Sequence, residues 1–121
     1  MAEPTSITFI SRCAPYGQHK PKLCMDMALA AAVFEQHVSY IFLEDGVFQL
    51  LRGQDAGAIH SKTLGNALET LELYGIDKVY VDRESLSRRN LKREDLIIEV
   101  EILDRIAIAN LLAEADSVFN L

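Results

Sequence analysis

His37-Val38-Ser39-Tyr40-Ile41-Phe42-Leu43-Glu44-Asp45-Gly46 is the stretch that decides how this chain folds. Its first seven residues are rich in β-branched and aromatic side chains, and two acids and a glycine end the run. That composition marks a strand closed by a turn. The preceding segment, Lys22 to Gln36, favours helix through Leu23, Met25, Met27, Leu29 and four alanines. Its apolar residues cover nearly the whole circumference, which predicts burial on more than one side. Such a helix must pack on the sheet and on something else. Further upstream, Ile7-Thr8-Phe9-Ile10-Ser11 reads as a first strand, followed by the breaker-rich loop Cys13 to Pro21.

Downstream of the central strand, the apolar turn Val47 to Leu51 leads into Arg52-Gly53-Gln54-Asp55-Ala56-Gly57. A helix is expected from about Thr63 to Tyr74, with Leu64, Ala67, Leu68 and Leu71 on one face and Gly75 as its stop. Lys78 to Val81 is a third strand. A short helix, Ser85 to Arg89, places Arg88-Arg89 at the negative helix end, with Asn90 suited to the left-handed cap. Leu96 to Val100 reads as a fourth strand. Asp104 is an N-cap, with Leu103 and Ile108 spaced as a hydrophobic staple, and Ser117 to Leu121 forms a last strand.

Strands that alternate with helices pair in parallel through right-handed crossovers. The predicted fold is therefore α/β: a single-domain, open, mainly parallel five-stranded sheet over residues 1–121, with helices on both faces. In such folds sites gather beyond the carboxyl ends of the strands. Three loops qualify: Arg12 to Pro21, Glu44 to Asp55, and Asp82 to Arg89.

At 121 residues the chain has room for one core. A net charge of −6 repels phosphate backbones, so no direct nucleic-acid binding is expected. Met1 to Ser6 lacks a basic region followed by an apolar run, and the longest apolar run, Met27 to Phe34, is too short to cross a bilayer. Cys13 and Cys24 are too few and too close to form a disulfide framework. A reduced, cytoplasmic setting is the expectation.

No complete active site is legible. Ala14-Pro15-Tyr16-Gly17 follows the first strand but has neither glycine-rich phosphate-binding form, so it reads as a shaped turn and no cofactor is expected. His19, His37 and His60 are scattered, with no partner at ligand spacing, and predict no metal site. Glu44-Asp45 reads as a solvated turn rather than an acid–base pair. Cys13, beside Arg12, and Cys24, near a helix N-terminus, are the candidate thiols. Against their reactivity stands the habit of cysteine to serve as a small core hydrophobe. Val47, Phe48, Leu50 and Leu51 are either core or an exposed apolar subunit interface. The crowded first helix tips the reading towards interface.

Three quoted segments carry a resemblance: Ala14-Pro15-Tyr16-Gly17, Ala28 to Gln36, and Phe42 to Gln54. The last includes the specific string Asp45-Gly46-Val47-Phe48-Gln49-Leu50-Leu51. With Leu73-Tyr74-Gly75-Ile76 and Glu84-Ser85-Leu86, they resemble the TusC/DsrF branch of the DsrE/DsrF-like sulfur-relay proteins over nearly the whole chain. The resemblance implies a flavodoxin-like sheet and a subunit that assembles with TusD/DsrE-like and TusB/DsrH-like homologues. The complex would pass persulfide sulfur to a TusE/DsrC-like carrier, for tRNA 2-thiouridine synthesis or for dissimilatory sulfur oxidation. Alignment on Leu86 puts Val81 where the catalytic paralogue keeps its cysteine, with Asp82 next to it, which implies a non-catalytic subunit. Leu23-Cys24 departs from the Glu-Gly pair usual in the family, so no role carries over to Cys24. The alternatives are an autonomous carrier using Cys13 or Cys24, and a cofactor-binding flavodoxin-like module.

Overall fold

Five strands, β1 (Ser6–Ser11), β2 (His37–Phe42), β3 (Lys78–Asp82), β4 (Glu101–Leu103) and β5 (Ser117–Asn120), form a sheet of order β4-β3-β2-β1-β5. Every neighbouring pair is parallel, with Phe9 of β1 in register with both Tyr40 of β2 and Phe119 of β5. The computed structural model describes residues 6–12, 20–34, 37–50, 71, 75–76, 78–96 and 100–120. The chain steps from β1 to β4 in one direction and then returns to the far side of β1 as β5. Right-handed crossovers therefore put the early connections on one face and the last one on the other.

The packing follows this rule. On the first face Phe9, Tyr40, Phe42, Val79 and Val81 meet Cys24, Met25 and Ala28 of helix α1 (Lys20–Val33). Leu71, Leu86, Leu91 and Leu96 complete that core. On the second face Ile10, Ile41 and Tyr80 meet Ile108, Leu111 and Leu112 of a later helix, Arg105–Glu114. The in-register aromatics form a row across three strands: Phe119–Phe9 at 5.3 Å, Phe9–Tyr40 at 6.4 Å. Each fully buried ring contributes on the order of 2–3 kcal/mol through burial alone.

Two short caps fix the ends of the elements near the strand termini. Helix α2 (Arg83–Arg88) starts at Asp82, whose side chain accepts from the Ser85 N–H. It ends in paired bonds from Asn90 N–H to the Ser87 carbonyl and from Leu91 N–H to the Leu86 carbonyl. Asn90 takes φ +57°, the left-handed cap expected of it. Helix α3 (Arg105–Glu114) starts at Asp104, which accepts from the Ala107 N–H at 2.8 Å. Leu103 and Ile108 share one core cluster, as a staple requires.

The helix expected over Thr63–Tyr74 lies outside the described residues except for Leu71. Its terminal Gly75 does adopt φ +83°, and Ile76 N–H bonds the Leu71 carbonyl. The described fourth strand is Glu101–Leu103; of the strand expected over Leu96–Val100, residues 97–99 lie outside the described residues. Leu96 and Val100 are buried in the first-face core, and the Arg93 guanidinium holds the Val100 carbonyl at 2.9 Å. β4 pairs with β3 through Tyr80, Val81 and Asp82.

α1 also differs. It buries Cys24, Met25 and Ala28, but Leu23 and Val33 on it, and Phe34 just beyond it, are exposed within the single chain. A helix lying flat on a sheet contacts it along one stripe, so an all-round apolar sequence leaves an apolar outer side.

Candidate functional site

In an all-parallel sheet the carboxyl ends of β1, β2, β3 and β4 lie on one edge, and a 3₁₀ segment, Glu44–Leu50, crosses it. Glu44 turns the chain out of β2 with φ +51°. Leu43 N–H then bonds the Ser11 carbonyl at 3.1 Å, and Gly46 lies so close to β1 that an added Cβ would stand 2.1 Å from that carbonyl oxygen. Only glycine fits there. Gln49 completes the anchorage by donating from Nε2 to Ser11 Oγ at 2.7 Å.

This path corrects the interface reading of the apolar run. Val47 and Leu50 are fully buried in the first-face core, because a 3₁₀ turn clamped to β1 points both inward. Phe48 alone of the described candidates stays partly exposed, while Leu51 lies outside the described residues.

Between this segment and α2 opens a cleft of about 490 Å³. Its floor is a hydrogen-bonded knot. Asp82 Oδ2 accepts from both Ser85 N–H (3.1 Å) and Ser85 Oγ–H (2.7 Å), and Ser85 Oγ accepts from Glu44 N–H at 2.8 Å. Asp82 is only 4 % exposed, and its Oδ1 has no hydrogen-bond partner among the described residues. Above the knot Arg89 reaches Asp45 Oδ1 through Nε and Nη2, at 3.1 and 2.9 Å. Its Nη1 donates to the Ser85 carbonyl, and its guanidinium sits 5.9 Å from the Phe48 ring centroid, a cation–π contact. At the outer wall Arg88 and Arg105 both pair with Glu84 at 2.6 Å.

Cys24, the one candidate thiol among the described residues, does not line this cleft. Cys24 is fully buried on α1 against the other end of the sheet edge, and burial pushes its pKa up to about 11, only partly offset by the neighbouring Tyr40 hydroxyl. Tyr40 rises well above its ordinary value, first through burial and then through the adjacent Cys24 thiolate. Tyr40 Oη has no partner at full hydrogen-bond geometry among the described residues, although Cys24 and Ser11 lie beside it. Cys13, with Ala14–Gly17 and His19, lies outside the described residues, as does His60. His37 stands exposed at the amino end of β2, across the sheet from the cleft. Val81 is buried and faces the first-face core, whereas the next residue, Asp82, faces the cleft.

Sequence reasoning singled out Glu44-Asp45 and Phe48 but missed Asp82, Ser85 and Arg89 as a connected set. A signal was present: Asp82-x-x-Ser85 directly after a strand is an N-cap pattern, and Glu84 with Arg88 has i,i+4 spacing. The missing knowledge was tertiary, namely that the segment after β2 docks on the helix after β3.

Comparison with known proteins finds matches over nearly the whole chain. The model of the DsrE/DsrF-like family matches residues 5–121. The Protein TusC homolog of Pseudomonas aeruginosa is 38 % identical over 116 residues, covering 96 % of this chain and 98 % of that one. The intracellular sulfur oxidation protein DsrF of Allochromatium vinosum is 36 % identical, covering 93 % of each. In structure the chain is similar to the ychN protein from E. coli, with a TM-score of 0.83 at 24 % identity over 97 % of this chain and 99 % of that one. That likeness bears on the fold.

Proposed function

The chain belongs to the DsrE/DsrF-like family, and from that premise we propose that it is the non-catalytic subunit of a cytoplasmic sulfur-relay complex. Homologous subunits of the TusD/DsrE and TusB/DsrH types would supply the reactive cysteine, and a TusE/DsrC-type carrier would receive the sulfur. Relatives named TusC homolog and DsrF, each more than a third identical over nearly the whole chain, support the relay assignment.

The non-catalytic reading rests on where the described chain has no usable sulfur. In sulfane transfer an acceptor thiolate attacks the outer sulfur of a persulfide, the S–S bond breaks, and the donor leaves as a thiolate. The donor therefore needs an accessible cysteine of low pKa. Among the described residues Cys24 is sealed with a raised pKa, and Val81, which the alignment puts at the paralogue's cysteine position, and its neighbour Asp82 bring no sulfur to the end of β3. Neither a valine nor an aspartate can carry a persulfide.

Charging the purified chain with a sulfane-sulfur donor, followed by mass spectrometry of the intact protein and its peptides, tests this. The expected result is no one-sulfur adduct that passes to an acceptor thiol, together with co-purification of homologous subunits from the source cell. An adduct on Cys13 or Cys24 that turns over would replace this reading with that of an autonomous carrier. Bound flavin or nucleotide in the purified protein would favour the cofactor module.

A further inference from the structure

β4 and β5 flank the sheet, so each pairs on one side only, and the outer backbone N–H and C=O groups of each meet no strand among the described residues. The two flanks are guarded unequally. β4 is three residues long and carries the exposed charge of Glu101, a common defence against further pairing. β5, Ser117-Val118-Phe119-Asn120, has neither a charge nor a proline, and all four residues are exposed. Its two large apolar side chains alternate onto opposite faces of the sheet. Val118 is 43 % and Phe119 41 % exposed, whereas Phe9 and Tyr40 on the inner strands are 2 % and 0 %. The aromatic row Tyr40–Phe9–Phe119 therefore runs out to the flank and stops at an exposed ring.

We propose that β5 pairs antiparallel with β5 of a second copy of this chain, about a two-fold axis perpendicular to the sheet and close to Phe119. Open backbone groups of this kind are satisfied by another extended strand. An axis in that direction keeps each face of the sheet on its own side. Phe119 then meets its counterpart and the aromatic row continues into the second sheet, while the Val118 side chains share the opposite face. The pattern selects a second copy, because a two-fold joint needs the same surface on both sides and β5 offers no charge with which to choose an unlike partner. Charge selects the direction. Antiparallel pairing sends the two Asp116 carboxylates to opposite ends of the joint, whereas in-register parallel pairing would set them side by side. The inference goes beyond the relay reading and does not rest on it.

Sedimentation of the purified full chain over a dilution series tests the joint, together with mild oxidation of Phe119→Cys. The expected result is a reversible dimer that dissociates on dilution and is not weakened by salt, since no ion pair holds it and each copy carries a net charge of −6. Val118→Lys sets like charges into the joint and should weaken association at least about tenfold, whereas Glu101→Lys on β4 should leave it unchanged. Phe119→Cys should yield a disulfide-linked peptide joining position 119 of both copies, and Glu101→Cys should yield no such link between positions 101. A chain that stays monomeric throughout the series, a dimer equally tight in Val118→Lys, or a dimer that gives no link at position 119 would each overturn the proposal. Should Val118→Lys fail to fold, the cross-link decides.

Discussion

Two ends of the same sheet edge have opposite characters. Around β1 the edge is closed: Cys24, Tyr40, Ser11 and Gln49 are all buried, with Gly46 pressed on the β1 carbonyl. Around β3 it is open, and the cleft there is walled by carboxylates and guanidiniums. Among the described residues the closed end has a sulfur atom without access, and the open end has access without a sulfur atom. Reactivity needs both in one place.

The largest effect should come from opening the closed end. Gly46→Ala places a methyl carbon 2.1 Å from the Ser11 carbonyl oxygen, a backbone atom that cannot swing aside. The 3₁₀ segment must lift, exposing Val47 and Leu50, at a cost of at least ~3 kcal/mol. Urea denaturation should show the loss, and Cys24 should become alkylatable without denaturant. A variant as stable as the native chain would mean that the seal is not where the geometry puts it.

The Cys24 thiol probes the same contrast by pH. Its pKa rises from 9.0 to about 11, so at neutral pH it carries ~100-fold less thiolate than a free cysteine, and burial slows reagents further. Iodoacetamide at neutral pH should leave it unmodified in the native chain and label it fully in denaturant. Linkage gives the sign: between pH 9 and 11 the unfolded chain releases this proton and the folded chain retains it. Stability is therefore intact below 9 and falls by up to ~2.5 kcal/mol as pH rises to 11. A denaturation midpoint that does not fall across that window would place Cys24 nearer solvent.

The same contrast separates what was legible in the sequence from what was not. Elements with their own punctuation came through: Asn90 and Asp104 end or start helices by local backbone chemistry that any reader of the chain can apply. Misreadings arose where tertiary pairing chooses between locally equal options. Val47 and Leu50 looked exposed because nothing in the sequence says that Gly46 clamps the segment to β1. The cleft draws its residues from after three different strands, β2, β3 and β4, so spacing along the chain could not gather Asp45, Asp82 and Arg105 into one wall.

At the open end effects should be smaller. Asp82→Ala removes the oxygen that caps α2 and holds Ser85, and should cost ~1–2 kcal/mol, whereas Asp82→Asn should cost a few tenths. Thermal melting of the pair measures the difference. Equal losses in both variants would mean that the carboxylate charge, rather than the cap, holds the helix.

The smallest change expected is at the rim. Arg89 is mostly covered but Asp45 is 60 % exposed, so water screens their pair despite its two-nitrogen geometry. Asp45→Asn should cost less than ~1 kcal/mol, and the cost should shrink further at high salt. The Arg89 guanidinium keeps its bond to the Ser85 carbonyl and its place beside Phe48, so α2 should stay docked on the segment after β2. Denaturation of both proteins at low and high ionic strength reads this directly. A loss above ~2 kcal/mol that salt does not reduce would show that the open end is held by this ion pair. The two ends of the edge would then differ in access to a thiol but not in how firmly they are built.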